Sequence, residues 1–584
     1  MIRKLYIYAF IVILIIPLSI LSTPLYEKPV SNSTMLRVAN AQQPLGKLGM
    51  IIILDALNVS TLQLADTPNL DNLINEGIAF LNAETVLPSA TTSAHVAMVT
   101  GAPPEINGVV HTYAYNASEY HELLPDETPV SYGYMDMLRA KTLPEAAKEA
   151  GVKVGIIVSK YKLRVMAGKT QAADKLLILP SEIVGGDPHE ADYPFEKRLE
   201  ITEWITNATI STIDEFYQYI LSGESALIIT HYAEPDYIQG ALGTRHPDTI
   251  RLIEFLDSEI GRIISELKRL NLWQRTFLVV AADHGFTDVD INKNLLAADV
   301  SHLGAITVEH IIAETAGLLL NIYLKNPDEI ADAVSALKDQ PWVKSIWTRY
   351  PVDSANGTLK DVGLDIDYAG DIVLDIKPPY YASRYFSVGC HGGTATKVIP
   401  IIFAGGLLKK TTVSETPTIL HIGPTLAALY GLSLPNATVE PLDIIAPTAE
   451  VSMKIEPGIA EPDISVSVEI NYTILGDVAN AKAKLFVYDS NGTLAYSDEK
   501  ALVTISGSVA FEISLSAEDT YTIHCEIVDE EGNILGGKVG TLLVIAVEKP
   551  RFPIEKVVGS FVIVIALSAI LIAIPVITKR KKKI

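Results

Sequence analysis

A chain of 584 residues is too long for one hydrophobic core and implies two or three domains. Its formal charge of −23 excludes the electrostatic grip that nucleic-acid binding needs, so no nucleic-acid partner is expected. The two cysteines, Cys390 and Cys525, fall in different expected domains and fit neither a disulfide framework nor a zinc knuckle.

In chain order, residues 1–41 open with a short basic stretch and an apolar run of about 17 residues, the pattern of a signal peptide or N-terminal anchor. Residues 51–54, IIIL, are an unbroken apolar run of the kind a buried parallel strand shows, and Asp55 stands where that strand ends. TPNLDNLINEG at 67–77 spaces Leu70, Leu73 and Ile74 on one helical face, with Gly77 as the stop. LPSATTSAHVAMVTG then places Ser89, Thr91, Thr92 and Ser93 just before an apolar helical pattern at 96–99. A hydroxyl at a helix start lies among free backbone N–H groups and the positive end of the helix dipole, which suits an oxygen that attacks phosphorus. The competing reading of any one of these hydroxyls is a plain N-cap.

Further along, residues 153–159 (KVGIIVS) and 226–230 (ALIIT) read as two more parallel strands, the second with Asp236 in the loop beyond it. An amphipathic helix at 249–271 carries Ile253, Leu256, Ile260, Ile263, Ile264 and Leu267 on one face. The strand at 277–281 is followed at once by Asp283 and His284. An insertion of about a hundred residues then separates His284 from His391, with a helix near 327–338 and strands around 318–324 and 372–376. Its Trp342, Trp347, Tyr380 and Tyr381 are either core or a stacking surface for a base. SVGCHGG sets His391 in a glycine-flanked turn ahead of the apolar run 398–404, and a helix at 424–430 closes the domain. Strands alternating with helices of these lengths make a doubly wound α/β sheet.

From about residue 448 strict alternation takes over. Ile464, Val466, Val468, Ile470, Tyr472 and Ile474 share a face, KLFVYDSNGTLAY is a hairpin turning at Asn491 and Gly492, and TYTIHCEIVDEEGNILGG repeats the pattern. Short strands over 448–548 give a β-sandwich of immunoglobulin-like type. Residues 557–577 are apolar and uncharged over a length that spans a bilayer, and the basic tail at 578–584 is the flank that stays in the cytoplasm. The part between would face outward, in keeping with eight Asn-x-Ser/Thr sequons.

Three strand ends and one glycine-flanked turn thus each present a carboxylate or an imidazole, ligand types suited to zinc or a similar divalent ion. The order LDAL, TPNLDNLINEG, PSATTSAH, PD, ADHG and GCHGG resembles the alkaline phosphatase superfamily, in its type I phosphodiesterase/nucleotide pyrophosphatase branch, over residues 48–445. The resemblance implies an alkaline-phosphatase-like, mostly parallel sheet within a metallohydrolase domain at 45–446, with an α+β cap inserted at about 300–388. It implies Thr91 as covalent nucleophile, one Zn2+ held by Asp55, Thr91, Asp283 and His284, and a second held by Asp236 and His391. Thr92, through its backbone N–H, and Thr112 would contact the transferred phosphoryl group.

Two positions depart from the family's pattern. Gly240 stands where a histidine is usual four residues after the PD aspartate, and NGVVHT puts His111 and Thr112 where an asparagine is frequent. A second ion held only by Asp236 and His391 would be labile unless His231 or His246 moves in. The function expected is a membrane-anchored, outward-facing phosphodiesterase or nucleotide pyrophosphatase acting on a small phosphate-ester or nucleotide substrate. The alternatives are phosphomonoester or phosphonate hydrolysis, or a surface binding or scaffold protein with a degenerate metal site.

Overall fold

The computed structural model describes residues 45–110, 115–116, 121–122, 137–295, 302–303, 306–313, 317–367, 369–383 and 387–546. The expected signal or anchor at 1–41, the apolar span at 557–577, the basic tail and Thr112 lie outside the described residues. Among the described residues no helix is long and apolar enough to cross a membrane.

The chain builds outward from β1 (Leu48–Leu54), in which every residue is buried. The other strands of its sheet are β2 (Ile78–Glu84), β3 (Lys153–Val158), β4 (Lys175–Ile178), β5 (Ala226–Tyr232), β6 (Thr276–Ala281) and β7 (Val398–Ala404). They lie in the order β2-β7-β6-β1-β5-β3-β4. β1 runs parallel to β5, with Leu54 opposite Tyr232, and parallel to β6, with Ile53 opposite Ala281. β7 is antiparallel to both β6 and β2, so the sheet is mixed and its parallel part is the one that carries the site.

The principal helices of this domain are α1 (Pro68–Glu76), α2 (Thr91–Thr100), α3 (Phe195–Leu221), α4 (Glu234–Leu242), α5 (Pro247–Arg269) and α6 (Ile422–Leu429). α5 buries the six residues expected of it, together with Leu252, against the sheet. Gly77 ends α1 in extended backbone rather than a left-handed cap. It is glycine because a Cβ there would stand 2.2 Å from the Phe403 carbonyl oxygen.

The cap is a six-stranded sheet, running from His302–Leu303 to Gly357–Thr358 across its width, with a helix at Ile330–Leu337. Trp347 and Tyr381 are buried, and Trp342 and Tyr380 pack on the cap core, so these rings fill space rather than form an open stacking surface.

The C-terminal part is a sandwich of a three-stranded and a five-stranded sheet. Val466, Val468, Ile470, Tyr472 and Ile474 pack against Leu485, Val487, Ile523 and Ile527. Ile464 does not join them: it precedes the strand Ser465–Leu475 and is exposed. Both cysteines are free and buried. The sandwich sits on the amino-terminal edge of the parallel strands. Arg275, just before β6, donates to the carbonyls of Ile534 (2.7 Å) and Leu535 (3.0 Å) in the last sandwich strand, Ile534–Val544. Ser222, ahead of β5, accepts from the Val539 N–H at 3.1 Å, and Lys47, ahead of β1, pairs with Glu450.

His524 lies in a stretch of the sandwich that is buried on both faces, and its Nε2 has no partner. Burial pushes this imidazole down to about 4. The unfolded chain takes up a proton near pH 6.5 that the folded chain refuses until about pH 4, so stability is full above 6.5 and is lost as the pH falls between the two. At pH 5 the loss is about 2 kcal/mol. His524→Leu should therefore lose less stability than the native protein between pH 7.5 and pH 5, read as the difference in thermal unfolding midpoints. Equal losses in both proteins would refute the assignment.

Candidate active site

Four neighbouring parallel strands end at one edge, where open α/β sheets gather ligands. Asp55 follows β1 and Lys160 follows β3; His231 lies near the end of β5, with Asp236 beyond it; Asp283 and His284 follow β6. Asp236 is not in a loop: it sits in the first turn of α4, and Gly240 follows it one helical turn later. Ala56, next to Asp55, adopts φ +62°, a conformation that costs a non-glycine residue about 1–3 kcal/mol. The turn brings the Ala56 N–H to Asp283 Oδ1 at 3.0 Å, so backbone strain is stored where two carboxylates meet.

The plain N-cap reading fails for Thr91. α2 begins at Thr91, and its N-cap is Ala90, with no side-chain bond to the first turn. Ser93 donates its hydroxyl to Pro88 O at 2.8 Å, while Thr92 is buried at the second helical position. The Thr91 hydroxyl instead lies 3.4 Å from His284 Nε2. The segment is tied to the His391 turn, because the Ser89 N–H donates to Gly392 O at 3.0 Å and its hydroxyl to Gly393 O at 2.7 Å.

His284 donates Nδ1–H to Gly285 O at 3.0 Å, which leaves the Nε2 lone pair facing the site. That nitrogen is 3.3 Å from Asp55 Oδ1 and 3.4 Å from Asp283 Oδ2. His391 is held the same way, with Nδ1 on Ser89 O at 3.0 Å and Nε2 3.6 Å from Asp236 Oδ1. The two imidazoles stack, with centroids 3.7 Å apart and planes 13° apart. Burial, with His284 alongside, holds His391 well below the ordinary imidazole range and therefore neutral. Burial and then the charge of Asp55 push Asp283 up to about 7. Burial would raise Asp55 too, but the Lys160 ammonium and His231 outweigh it and hold that carboxyl well below the usual range.

Lys160, His95 and the position of His231 are what sequence reasoning missed. Lys160 Nζ lies 2.6 Å from Asp55 Oδ2 and 2.7 Å from Asp236 Oδ2. Burial would lower its pKa, but the two carboxylates hold it well above the usual lysine range, so it is an ammonium. His231 points Nε2 at Asp55 Oδ2, 3.0 Å away, and so serves the first carboxylate rather than Asp236. His246 accepts the Asp248 N–H at the start of α5 and does not reach the site. His95 bonds Thr91 O at 2.7 Å and lies 3.4 Å from Asp283 Oδ2, steadying the Thr91 backbone from behind.

Asp55, Asp283 and His284 offer ligand atoms that all lie within 4.8 Å of one another. Asp55 Oδ1 and Asp283 Oδ2 are buried without a hydrogen-bond partner. Two orphaned carboxylate oxygens beside an imidazole lone pair fit a divalent cation, which brings the charge they lack. Asp236, His284 and His391 also converge within 4.8 Å, but they fit a second ion poorly. Asp236 directs Oδ2 to Lys160, His284 already belongs to the first group, and Gly240 has no side chain to offer.

This fold and this convergence define an alkaline-phosphatase-like metallohydrolase. The type I phosphodiesterase / nucleotide pyrophosphatase family matches residues 50–394, more than half of the chain, and the chain belongs to that family. Ectonucleotide pyrophosphatase/phosphodiesterase family member 7 of Mus musculus is 24% identical over 246 residues, covering 41% of this chain and 50% of the relative. Bis(5'-adenosyl)-triphosphatase ENPP4 of Homo sapiens is 22% identical over 254 residues, covering 41% and 47%. The chain thus spans about half the length of the curated relatives it matches. Among solved structures, murine ectonucleotide pyrophosphatase / phosphodiesterase 5, as an inactive variant in complex with AMP, superposes with a TM-score of 0.51 at 16% identity, over 69% of this chain and 100% of that one. Alkaline phosphatase PafA gives 0.52 at 14% identity, over 68% and 98%.

Proposed function

We propose that this chain hydrolyses phosphodiester or pyrophosphate bonds in small nucleotide-type substrates, with Thr91 as nucleophile and a phosphothreonine intermediate. The observation that carries the reading is the Thr91 hydroxyl: it opens a buried helix, has no capping duty, and lies 3.4 Å from His284 Nε2, the nitrogen that also stands beside the two orphaned carboxylate oxygens. Thr91 Oγ gives up its proton to solvent as its bond to phosphorus forms and the bond to the leaving oxygen breaks, the leaving oxygen taking a proton from water; a second water then attacks phosphorus, the P–Oγ bond breaks, and that water's proton restores the hydroxyl. The first-turn N–H groups of α2, Thr92 among them, receive the phosphoryl oxygens. A divalent ion held by Asp55, Asp283 and His284, zinc being the best match to these ligands, would supply the charge that eases ionisation of the hydroxyl and offsets the phosphoryl oxygens. Substrate class is supported by the family and by relatives named for nucleotide pyrophosphates and a bis(adenosyl) triphosphate.

The test is a panel of bis-p-nitrophenyl phosphate, a dinucleoside triphosphate, p-nitrophenyl phosphate and a phosphonate, with acid-quenched protein digested to find phosphate on Thr91. Faster turnover of the first two, with labelled Thr91, is expected; a preference for the monoester or the phosphonate would overturn it. The reading includes a catalytic part outside the cell, anchored by residues 557–577. Protease added to intact cells should then release it, and its protection would reverse the orientation.

A further inference from the structure

We propose that the Lys160 ammonium takes the place of a second metal ion, so that the site works with one divalent cation and one fixed lysine charge. The seat of Lys160 supports this. Its Nζ bridges Asp55 and Asp236, one carboxylate from each candidate ligand group, and so stands between the two groups rather than beside one of them. The side chain is 8% exposed, with Nζ 4.8 Å from the centre of the Tyr237 ring. The turn that delivers it is pinned by Ser159, whose hydroxyl donates to His231 O at 2.7 Å and accepts the Ala233 N–H at 3.2 Å.

Charge and ligand supply agree. Asp55, Asp236 and Asp283 bring three negative charges, which one ammonium and one divalent ion neutralise before substrate arrives; a second divalent ion would leave the buried site strongly positive. An ion on Asp236 would also press against the ammonium already bonded to that carboxylate. Gly240 stands one helical turn after Asp236, where another ligand would start, and neither conformation nor space demands glycine there. A Cβ at Gly240 would meet Ser387 Oγ at 3.4 Å and Phe286 Cζ at 3.8 Å, which is ordinary contact, on helical backbone. The absent side chain at Gly240 and the bridging Lys160 ammonium together leave Asp236 serving a fixed charge rather than an ion.

The proposal rests on the assignment of Asp55, Asp283 and His284 to an ion, and its test needs no substrate. Full-length protein is stripped with chelator, equilibrated with excess free Zn2+, desalted, and its zinc counted per chain by mass spectrometry. One ion per chain is expected for the native protein and for Gly240→His, because the ammonium stays. Two are expected for Lys160→Met combined with Gly240→His. Two ions on the native protein, or on Gly240→His alone, would overturn the proposal. Should the double variant not fold, labelling of the native protein with acetic anhydride decides. Lys160 should stay unmodified at saturating Zn2+, whereas acetylation that rises with added Zn2+ would show the ion displacing the ammonium. One ion on a protein without phosphodiesterase activity would still support the proposal and count only against the proposed reaction.

Discussion

Alanine at Thr91 is expected to lower phosphodiester turnover by about 10^4-fold or more while fold and metal content stay as they are. The substitution removes one hydroxyl that makes no capping bond and none of the carboxylate or imidazole ligands. The backbone carbonyl of Thr91, which holds His95 at 2.7 Å, remains in place. Thr91→Ser should keep a measurable part of the rate, since the oxygen survives and only a methyl group is lost. Thr92→Ala and Ser93→Ala should each cost less than about 10-fold, because Ser93 spends its hydroxyl on Pro88 O and Ala90 O and acts through helix shape alone. Initial rates, with circular dichroism and zinc content as controls, check all four. Near-native turnover in Thr91→Ala would mean that water attacks phosphorus directly, and the covalent route would have to be abandoned.

Asparagine at Asp283 should move metal affinity and metal-free stability in opposite directions. Asp283 accepts the N–H groups of Ala56 and His284 through Oδ1, each at 3.0 Å, and an amide oxygen can keep both. The orphaned Oδ2 becomes an amide nitrogen, which cannot bind a cation. Loss of the ligand should weaken zinc binding by at least about 100-fold, since even residues behind a ligand are worth 10- to 100-fold. In the chelated protein the same change removes one of two facing buried carboxylates, the pair whose mutual charge and burial raise Asp283 to about 7. At pH 8 the metal-free variant should be more stable than the metal-free native protein by about 1 kcal/mol or more. Calorimetric zinc titration and thermal unfolding in chelator read the two effects separately. Unchanged zinc affinity would remove Asp283 from the ligand set.

Most of the sheet was legible in the sequence because buried parallel strands leave an unbroken apolar signature, and 51–54, 153–159, 226–230 and 277–281 each carry it. The reading that strand ends hold function located Asp55, Asp236, Asp283 and His284 for the same reason. Lys160 was equally within reach, standing two residues past the end of β3. It escaped because a lone lysine after a strand resembles ordinary solvated surface, and nothing local reveals that two aspartates, 105 and 76 residues away in sequence, lie against it. His95 was hidden inside an apolar helix pattern, where it looks like filler. The loop assigned to Asp236 failed because Pro235 starts a helix as readily as it breaks one when it falls in the first turn. The strand reversal at β7 could not be read at all, since an apolar run carries no mark of its direction.

The sandwich joins the α/β domain at Lys47, Ser222 and Arg275, at the edge of the sheet opposite the candidate site. Strands of seven residues such as β1 and β5 put about 23 Å between those two edges. The sandwich therefore packs at the end of the sheet away from the candidate site, and a substitution in that seam, such as Arg275→Ala, can reach the site only along the length of these strands.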